Sequence, residues 1–115
     1  MSEFTFTIPG GPVPKGRPRL GKGHVYTPKK TKDYEQKVAA LCLMARRKAK
    51  LKPFEGPVEV AVMVLPFAVQ VTVREMDEGE VTRTDLDNVC KAALDGMNGV
   101  AYKDDRQVLH LEAWK

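Results

Sequence analysis

The sequence predicts an α+β fold, a single domain over residues 1–115 in which two main helices pack against a mixed β-sheet. Three observations carry this reading. Apolar residues recur at every second position in Phe4–Ile8 and again in Val58–Val64, the period of a half-buried strand. They recur at three- and four-residue spacing between Thr31 and Lys50, the period of a helix. A second helical stretch closes on Asn98-Gly99, a helix stop. A chain of 115 residues, 43% of them hydrophobic, suffices for one packed core.

Phe4, Phe6 and Ile8 alternate with Thr5 and Thr7 in the first strand. Pro9 to Arg19 holds four prolines and three glycines, which deny it a regular ladder and leave a stiff loop. Gly21 to Pro28 continues as a loop or short hairpin. The first helix then runs from near Thr31 to about Lys50, with Tyr34, Val38, Leu41, Ala45 and Ala49 as its apolar stripe. Its last turns carry Arg46, Arg47, Lys48 and Lys50, which suit the negative end of the helix dipole.

Val58, Val60, Val62 and Val64 share one face of a strand ending at Leu65. Beyond Pro66, Phe67, Val69, Val71 and Val73 resume the period in a second strand paired with the first. Arg74 to Glu80 reads as a polar turn, and Thr82 to Asp87 as extended. The second helix starts at Asp87 or Asn88, either a good N-cap, and buries Val89, Ala92, Ala93 and Met97. A short strand over Val100–Tyr102, a turn over Lys103–Arg106 and a last strand over Gln107–Lys115, with Leu109, Leu111 and Ala113 inward, complete a β-α-β-β-α-β-β order.

Charge is distributed unevenly. Lys15 to Lys52 carries thirteen Lys and Arg against two acids, a net of +11; the remainder carries six bases and thirteen acids, a net of −7. A basic half joined to an acidic half suits a polyanion held by one and a cation held by the other. Lys15, Arg17, Arg19, Lys22, Lys29 and Lys30 lie in proline-restrained loops and are assigned to contacts with the phosphates of such a polyanion. No apolar run approaches the roughly 18–20 residues of a membrane span, and the N-terminus lacks the features of a signal peptide. Cys42 and Cys90 stand apart from any CxxC pattern and read as reduced thiols on helix faces. A cytoplasmic protein without a membrane partner is expected.

The acids concentrate in Arg83-Thr84-Asp85-Leu86-Asp87-Asn88 and Lys103-Asp104-Asp105-Arg106. In an extended segment Asp85 and Asp87 point the same way. The second helix and its return bring Asp104-Asp105 back toward them. Carboxylates so placed repel unless a cation sits among them, and oxygen donors without His or Cys suit Mg²⁺ or Mn²⁺ over zinc. Lys91 follows Asp87 by four residues and Asp95 follows Lys91 by four, so the three share a helix face, as a catalytic lysine among acids or as a surface ion-pair ladder. The glycine and glutamate of an EF-hand loop are absent, as is the Gly-Lys-Ser/Thr of a P-loop.

Arg83 to Lys91, then Ala92 to Gly99, then Asp104-Asp105-Arg106-Gln107-Val108, together resemble the signature of the RusA family of Holliday-junction resolvases, and Gly11 to Arg19 resembles the family's opening loop. Thr84 stands where many members have proline. The resemblance covers nearly the whole chain. It implies a homodimer, with no small-molecule cofactor, that binds four-way DNA junctions and nicks opposing strands using Mg²⁺ or Mn²⁺, in DNA recombination and repair. It assigns the metal-site acids to Asp85, Asp87 and Asp105, with Asp104 as the alternative register of the Asp-Asp pair, and the essential lysine to Lys91. Lys91 would stabilise the transition state or protonate the leaving oxygen. Two other functions compete: a DNA-binding protein without catalysis, which uses the basic loop and helix but has no use for the four clustered aspartates, and a nuclease for flaps or other branches, which uses the same residues. A structural metal-binding domain leaves the +11 segment unexplained.

Overall fold

A computed structural model of the chain describes residues 2–11, 19–21, 24–26 and 29–115, with only the backbone course described for 19–21 and 24–26. The chain divides into two compact units, Met1–Glu80 and Val81–Lys115.

The first unit holds strands β1 (Glu3–Pro9), β2 (Arg19–Gly21) and β3 (His24–Tyr26), helix α1 (Lys29–Lys48), and strands β4 (Val58–Leu65) and β5 (Ala68–Glu75). β5 is the middle strand of a β1-β5-β4 sheet, antiparallel on both sides. The α+β class is as predicted, but these ladders are antiparallel where a mixed sheet was expected. β2 and β3 form the short hairpin that Gly21–Pro28 suggested.

Register explains the core. Phe4 faces Val73, Phe6 faces Val71 and Ile8 faces Val69, so these six share one face. Phe4, Phe6, Ile8 and Val69 are buried there, and Tyr34, Val38, Leu41, Cys42 and Ala45 of α1 pack against them. The predicted stripe is thus the observed one, except that Ala49 is exposed beyond the helix end and Cys42 joins it. Val60, Val62 and Val64 lie across from Val73, Val71 and Val69 on the same face, yet each is more than half exposed. α1 lies over β1 and leaves the β4 valines open. The expected return of Phe67 to the strand face does not occur. Phe67 sits in the turn after Pro66, 84% exposed, and its carbonyl accepts from Gly10 N–H at 2.8 Å. Gly10 has φ +96°, a conformation glycine tolerates and L side chains resist.

α1 ends without glycine. Leu51 N–H donates to Arg46 O (3.1 Å) and Lys50 N–H to Arg47 O (2.9 Å) around a left-handed Lys50 at φ 60°. This is the Schellman pattern, and Leu51 supplies its hydrophobic contact by packing on the core.

The second unit holds helix α2 (Leu86–Met97) and a 3₁₀ turn (Asp105–Gln107). Two expected strands do not form. Val100–Tyr102 is a turn with an isolated parallel bridge between Asn98 and Tyr102. Gln107 closes the 3₁₀ turn, and residues 108–115 join no ladder, with Leu109 and Trp114 mostly exposed. Alternation is necessary for a half-buried strand but not sufficient: the backbone also needs a neighbouring strand. No helix among the described residues is long and apolar enough to cross a membrane. Cys42 and Cys90 are both free.

Candidate functional site

All the acids singled out from the sequence, and Lys91, fall in the second unit. α2 begins earlier than predicted. Its N-cap is Asp85, in extended geometry, and Leu86 is already helical. Asp85 and Asp87 therefore do not alternate along a strand; they span the helix start. The reason lies in Leu86. With Cys90 and Leu94 it forms the half-buried i, i+4, i+8 stripe of α2, in place of Val89, Ala92, Ala93 and Met97, which are exposed.

The Asp85 side chain makes no capping bond to the helix. Its Oδ2 accepts from Asn88 Nδ2 at 3.1 Å, which fixes the carboxylate beside the helix start. Asp87, in the first turn, carries negative charge where the helix dipole favours it. Lys91 and Asp95 follow on successive turns. All three are exposed, and among the described residues no ion pair within 4.0 Å joins Lys91 to either acid. The ion-pair ladder is therefore not formed. Ahead of the helix, Lys115 Nζ donates to the Thr84 and Thr82 carbonyls, tying the last residue to the approach to Asp85.

The helix stops as predicted, with Asn98 as C-cap and Gly99 at φ +83°. Tyr102 Oη then donates to Leu94 O (2.9 Å), and its phenol pKa is raised by burial and by the charges of Asp105 and Asp95. The next turn separates the two adjacent aspartates. Asp104 caps it: Oδ1 accepts from Arg106 N–H (2.9 Å) while Gln107 Oε1 accepts from Asp104 N–H (2.9 Å), a reciprocal capping box. The Arg106 guanidinium also grips both Asp104 oxygens, at 3.2 and 3.1 Å. These bonds from Arg106 hold the Asp104 carboxyl below its ordinary pKa. Asp104 is occupied by the protein. Asp105, half-buried and next in sequence, opens the turn with its carboxylate outside the capping box.

Hard oxygen donors of this kind suit a Mg²⁺- or Mn²⁺-type ion. The structure brings them into one unit, but among the described residues no three His, Cys, Asp or Glu side chains are gathered into a group able to hold a metal. The donors fit such a cation in kind. Drawing their mutually repelling charges together is a cost that binding has to offset.

Of the basic residues, Lys15, Arg17 and Lys22 lie outside the described residues, as do most of the Pro9–Arg19 loop and the side chain of Arg19, whose backbone opens β2. Lys29 and Lys30 are not in a loop. They are the first two residues of α1, two positions before the predicted start, and both are exposed. Cations at a helix N-terminus oppose the dipole by some tenths of a kcal/mol, and the first turn holds no acid to compensate. An anionic partner would relieve that. Two other bases of the +11 segment are occupied: Lys37 Nζ donates to Pro9 O (2.8 Å) and Arg46 Nη1 to Leu51 O (2.8 Å).

Comparison with known proteins decides the family. The profile described as endodeoxyribonuclease RusA matches residues 9–115. The chain belongs to the RusA endodeoxyribonuclease family. The match takes in the basic segment, α2 and the 104–107 turn together, so both charge regions fall within RusA-family sequence. A Bacillus subtilis (strain 168) relative, "Uncharacterized protein YqaN", is 34% identical over 128 residues, an alignment covering 100% of this chain and 88% of the relative. No solved structure matches the chain. RusA membership makes the chain one of a family of DNA-cutting enzymes.

Proposed function

We propose that this chain is a divalent-metal-dependent endodeoxyribonuclease that resolves four-way DNA junctions by paired symmetric nicks, acting in the cytoplasm as a homodimer in DNA recombination and repair. The observation that carries the reading is the RusA match over residues 9–115, which includes each acid and the lysine discussed above. Two symmetric cuts on a four-way junction call for a two-fold axis, which a homodimer supplies.

In phosphodiester hydrolysis water attacks phosphorus, the bond to the leaving oxygen breaks, and that oxygen takes up a proton. Asp85, Asp87 and Asp105 would hold Mg²⁺ or Mn²⁺, whose chemistry is to acidify bound water and polarise the phosphate. Lys91 stands one turn from Asp87, exposed and without an ion-pair partner, so its ammonium is available to a phosphoryl oxygen. There it stabilises charge that develops only in the transition state, or protonates the leaving oxygen. Asn88 keeps Asp85 oriented and Arg106 keeps Asp104 occupied. Lys15, Arg17, Arg19, Lys22, Lys29 and Lys30 supply phosphate contacts along the junction arms.

The test compares nicking of a synthetic four-way junction, a flap and plain duplex in Mg²⁺, Mn²⁺, Ca²⁺ or EDTA. Junctions are expected to be cut in preference, in Mg²⁺ or Mn²⁺ only. Asp85→Asn, Asp87→Asn and Asp105→Asn should each lower the rate by about 10³-fold or more with junction binding kept or tightened. Preferential cutting of flaps would replace the substrate. Junction binding without nicking in any metal would make the chain a binder.

A further inference from the structure

Resting on the reading of the chain as a nuclease for branched DNA, we propose that Phe67 is a base-stacking residue: its ring, at the tip of the β4–β5 hairpin, takes the face of a base that leaves the stack at the branch point. A single exposed apolar side chain signifies little by itself. Phe67 combines exposure with a fixed backbone and a cationic setting. It is 84% exposed. The backbone that carries it is held twice: Leu65 and Ala68 close the hairpin ladder, and Gly10 N–H donates to the Phe67 carbonyl at 2.8 Å. A ring on a fixed backbone has little freedom left to lose when it meets a base. In a continuous duplex each base face is covered by its neighbours, so such a ring finds a partner only where stacking is interrupted.

The same end of the first unit is net positive. Pro9 pairs with Ala68, and Lys37 of α1 donates to the Pro9 carbonyl at 2.8 Å. At the far end of β1, Phe4 packs on Phe54, which follows α1, with ring centroids 6.0 Å apart. α1 therefore runs back along β1, and its first turns lie at the Phe67 end. There Lys29 to Lys37 carries four lysines, all exposed, against Asp33 and Glu35, a net of +2. The hairpin adds no acid near its tip: Val60 to Val73 holds no charged residue, and Glu59 and Glu75 stand at the opposite end. Phosphates are thus attracted by the helix and not repelled by the tip, while stacking is an interaction that any base can satisfy. A second copy docked symmetrically through this tip would set two net-positive ends against each other, which disfavours it as the occupant.

The experiment measures binding of a labelled four-way junction and of plain duplex to the full-length chain in Ca²⁺, for wild type, Phe67→Ala, Phe67→Leu and Phe67→Trp. Phe67→Ala should weaken junction binding about tenfold, the scale of one lost base–aromatic stack. Its duplex binding and thermal midpoint should stay at wild-type values. Phe67→Leu, apolar but without a π face, should lose nearly as much, and Phe67→Trp should bind as wild type. With the chain's one tryptophan removed by Trp114→Phe, emission of the Phe67→Trp variant should be quenched by junction and not by duplex. Wild-type junction affinity in Phe67→Ala overturns the proposal and leaves the nuclease reading standing. So do equal losses on junction and duplex, which make Phe67 a general contact, and full affinity in Phe67→Leu, which makes it an apolar wedge. A sedimentation coefficient that falls in Phe67→Ala overturns it as well, because the tip would then cover another copy. A wild-type chain that binds junction no better than duplex overturns the branched-DNA reading and the proposal together.

Discussion

In Met1–Glu80 the framework is made by burial, whereas in Val81–Lys115 no residue is buried and, apart from the bonds of Lys115 to the Thr82 and Thr84 carbonyls, the side-chain hydrogen bonds join near neighbours. In the first region β1 and β5, distant in sequence, pair so that Phe6 lies against Val71 and Ile8 against Val69, with α1 over them. In the second, Asn88 binds Asp85, Tyr102 binds Leu94, and Arg106 and Gln107 bind Asp104. These bonds span two to eight residues. A core needs apolar side chains that fill volume, and many sequences meet that need. A site built from charged groups needs particular atoms at particular positions, so its residues are set by chemistry and make little core.

The comparison breaks most visibly at Lys91. On a helix face without an ion-pair partner it has little to contribute to stability, so Lys91→Ala should leave the thermal midpoint within about 1 °C of wild type. Single-turnover junction nicking should fall by about 10²–10³-fold, near 3–4 kcal/mol, with junction affinity little changed. Lys91→Arg should rescue poorly, since a planar guanidinium does not replace a compact ammonium. A wild-type rate in Lys91→Ala would remove the lysine from the chemistry.

The converse experiment is in the core. Ile8, 3% exposed, is the most deeply buried member of a four-residue cluster. Ile8→Ala should cost about 3 kcal/mol in denaturant unfolding, through lost burial and the cavity left behind. At temperatures where the variant remains folded, its Mn²⁺ affinity should match wild type. A Mn²⁺ affinity that falls with core stability would mean that the second unit depends on the first, and would erase the contrast.

The same contrast explains what could be read in advance. The burial-driven parts wrote themselves as periods: the Phe4, Phe6, Ile8 alternation of β1 and the Tyr34, Val38, Leu41, Ala45 stripe were legible because a packed strand face and helix face impose them. Val100–Tyr102 and Gln107–Lys115 carried a similar alternation, but whether a strand has a partner is not a local property of sequence. The start of α2 was displaced because Asp85-Leu86-Asp87-Asn88 offers several good caps, and the choice went to the one that brings Leu86 into line with Cys90 and Leu94. The acids and Lys91 were legible as a family-like motif rather than as a period. Asp104 and Asp105 were not separable as a sequence pair, and the bonds from Arg106 to the first depend on a turn geometry the sequence does not display. Tyr102 was passed over as a strand residue. Its one local signal was a phenol between a helix stop and a pair of acids, since a half-buried hydroxyl calls for a partner.

The smallest effect comes from comparing one ion pair in each region. Arg74, in β5, reaches Glu3 of β1 at 3.4 Å and Glu59 of β4 at 3.8 Å, linking all three strands on the face away from α1. The side chains are about half exposed, so water and salt screen them, and the ladders already hold the strands in register. Arg74→Ala should therefore cost only about 0.5 kcal/mol in denaturant unfolding, a loss that shrinks further in roughly 1 M salt. The Asp104–Arg106 pair has no ladder behind it, because the same carboxylate caps the turn. Asp104→Ala should disturb the amide resonances of residues 105–108 and weaken Mn²⁺ binding, while those of β1 and β5 stay in place. Arg74→Ala should do neither. If Asp104→Ala left the 105–108 amides and the Mn²⁺ affinity at their wild-type values, the turn would hold its shape without its cap, and local hydrogen bonding would not be what sets the geometry of the second unit.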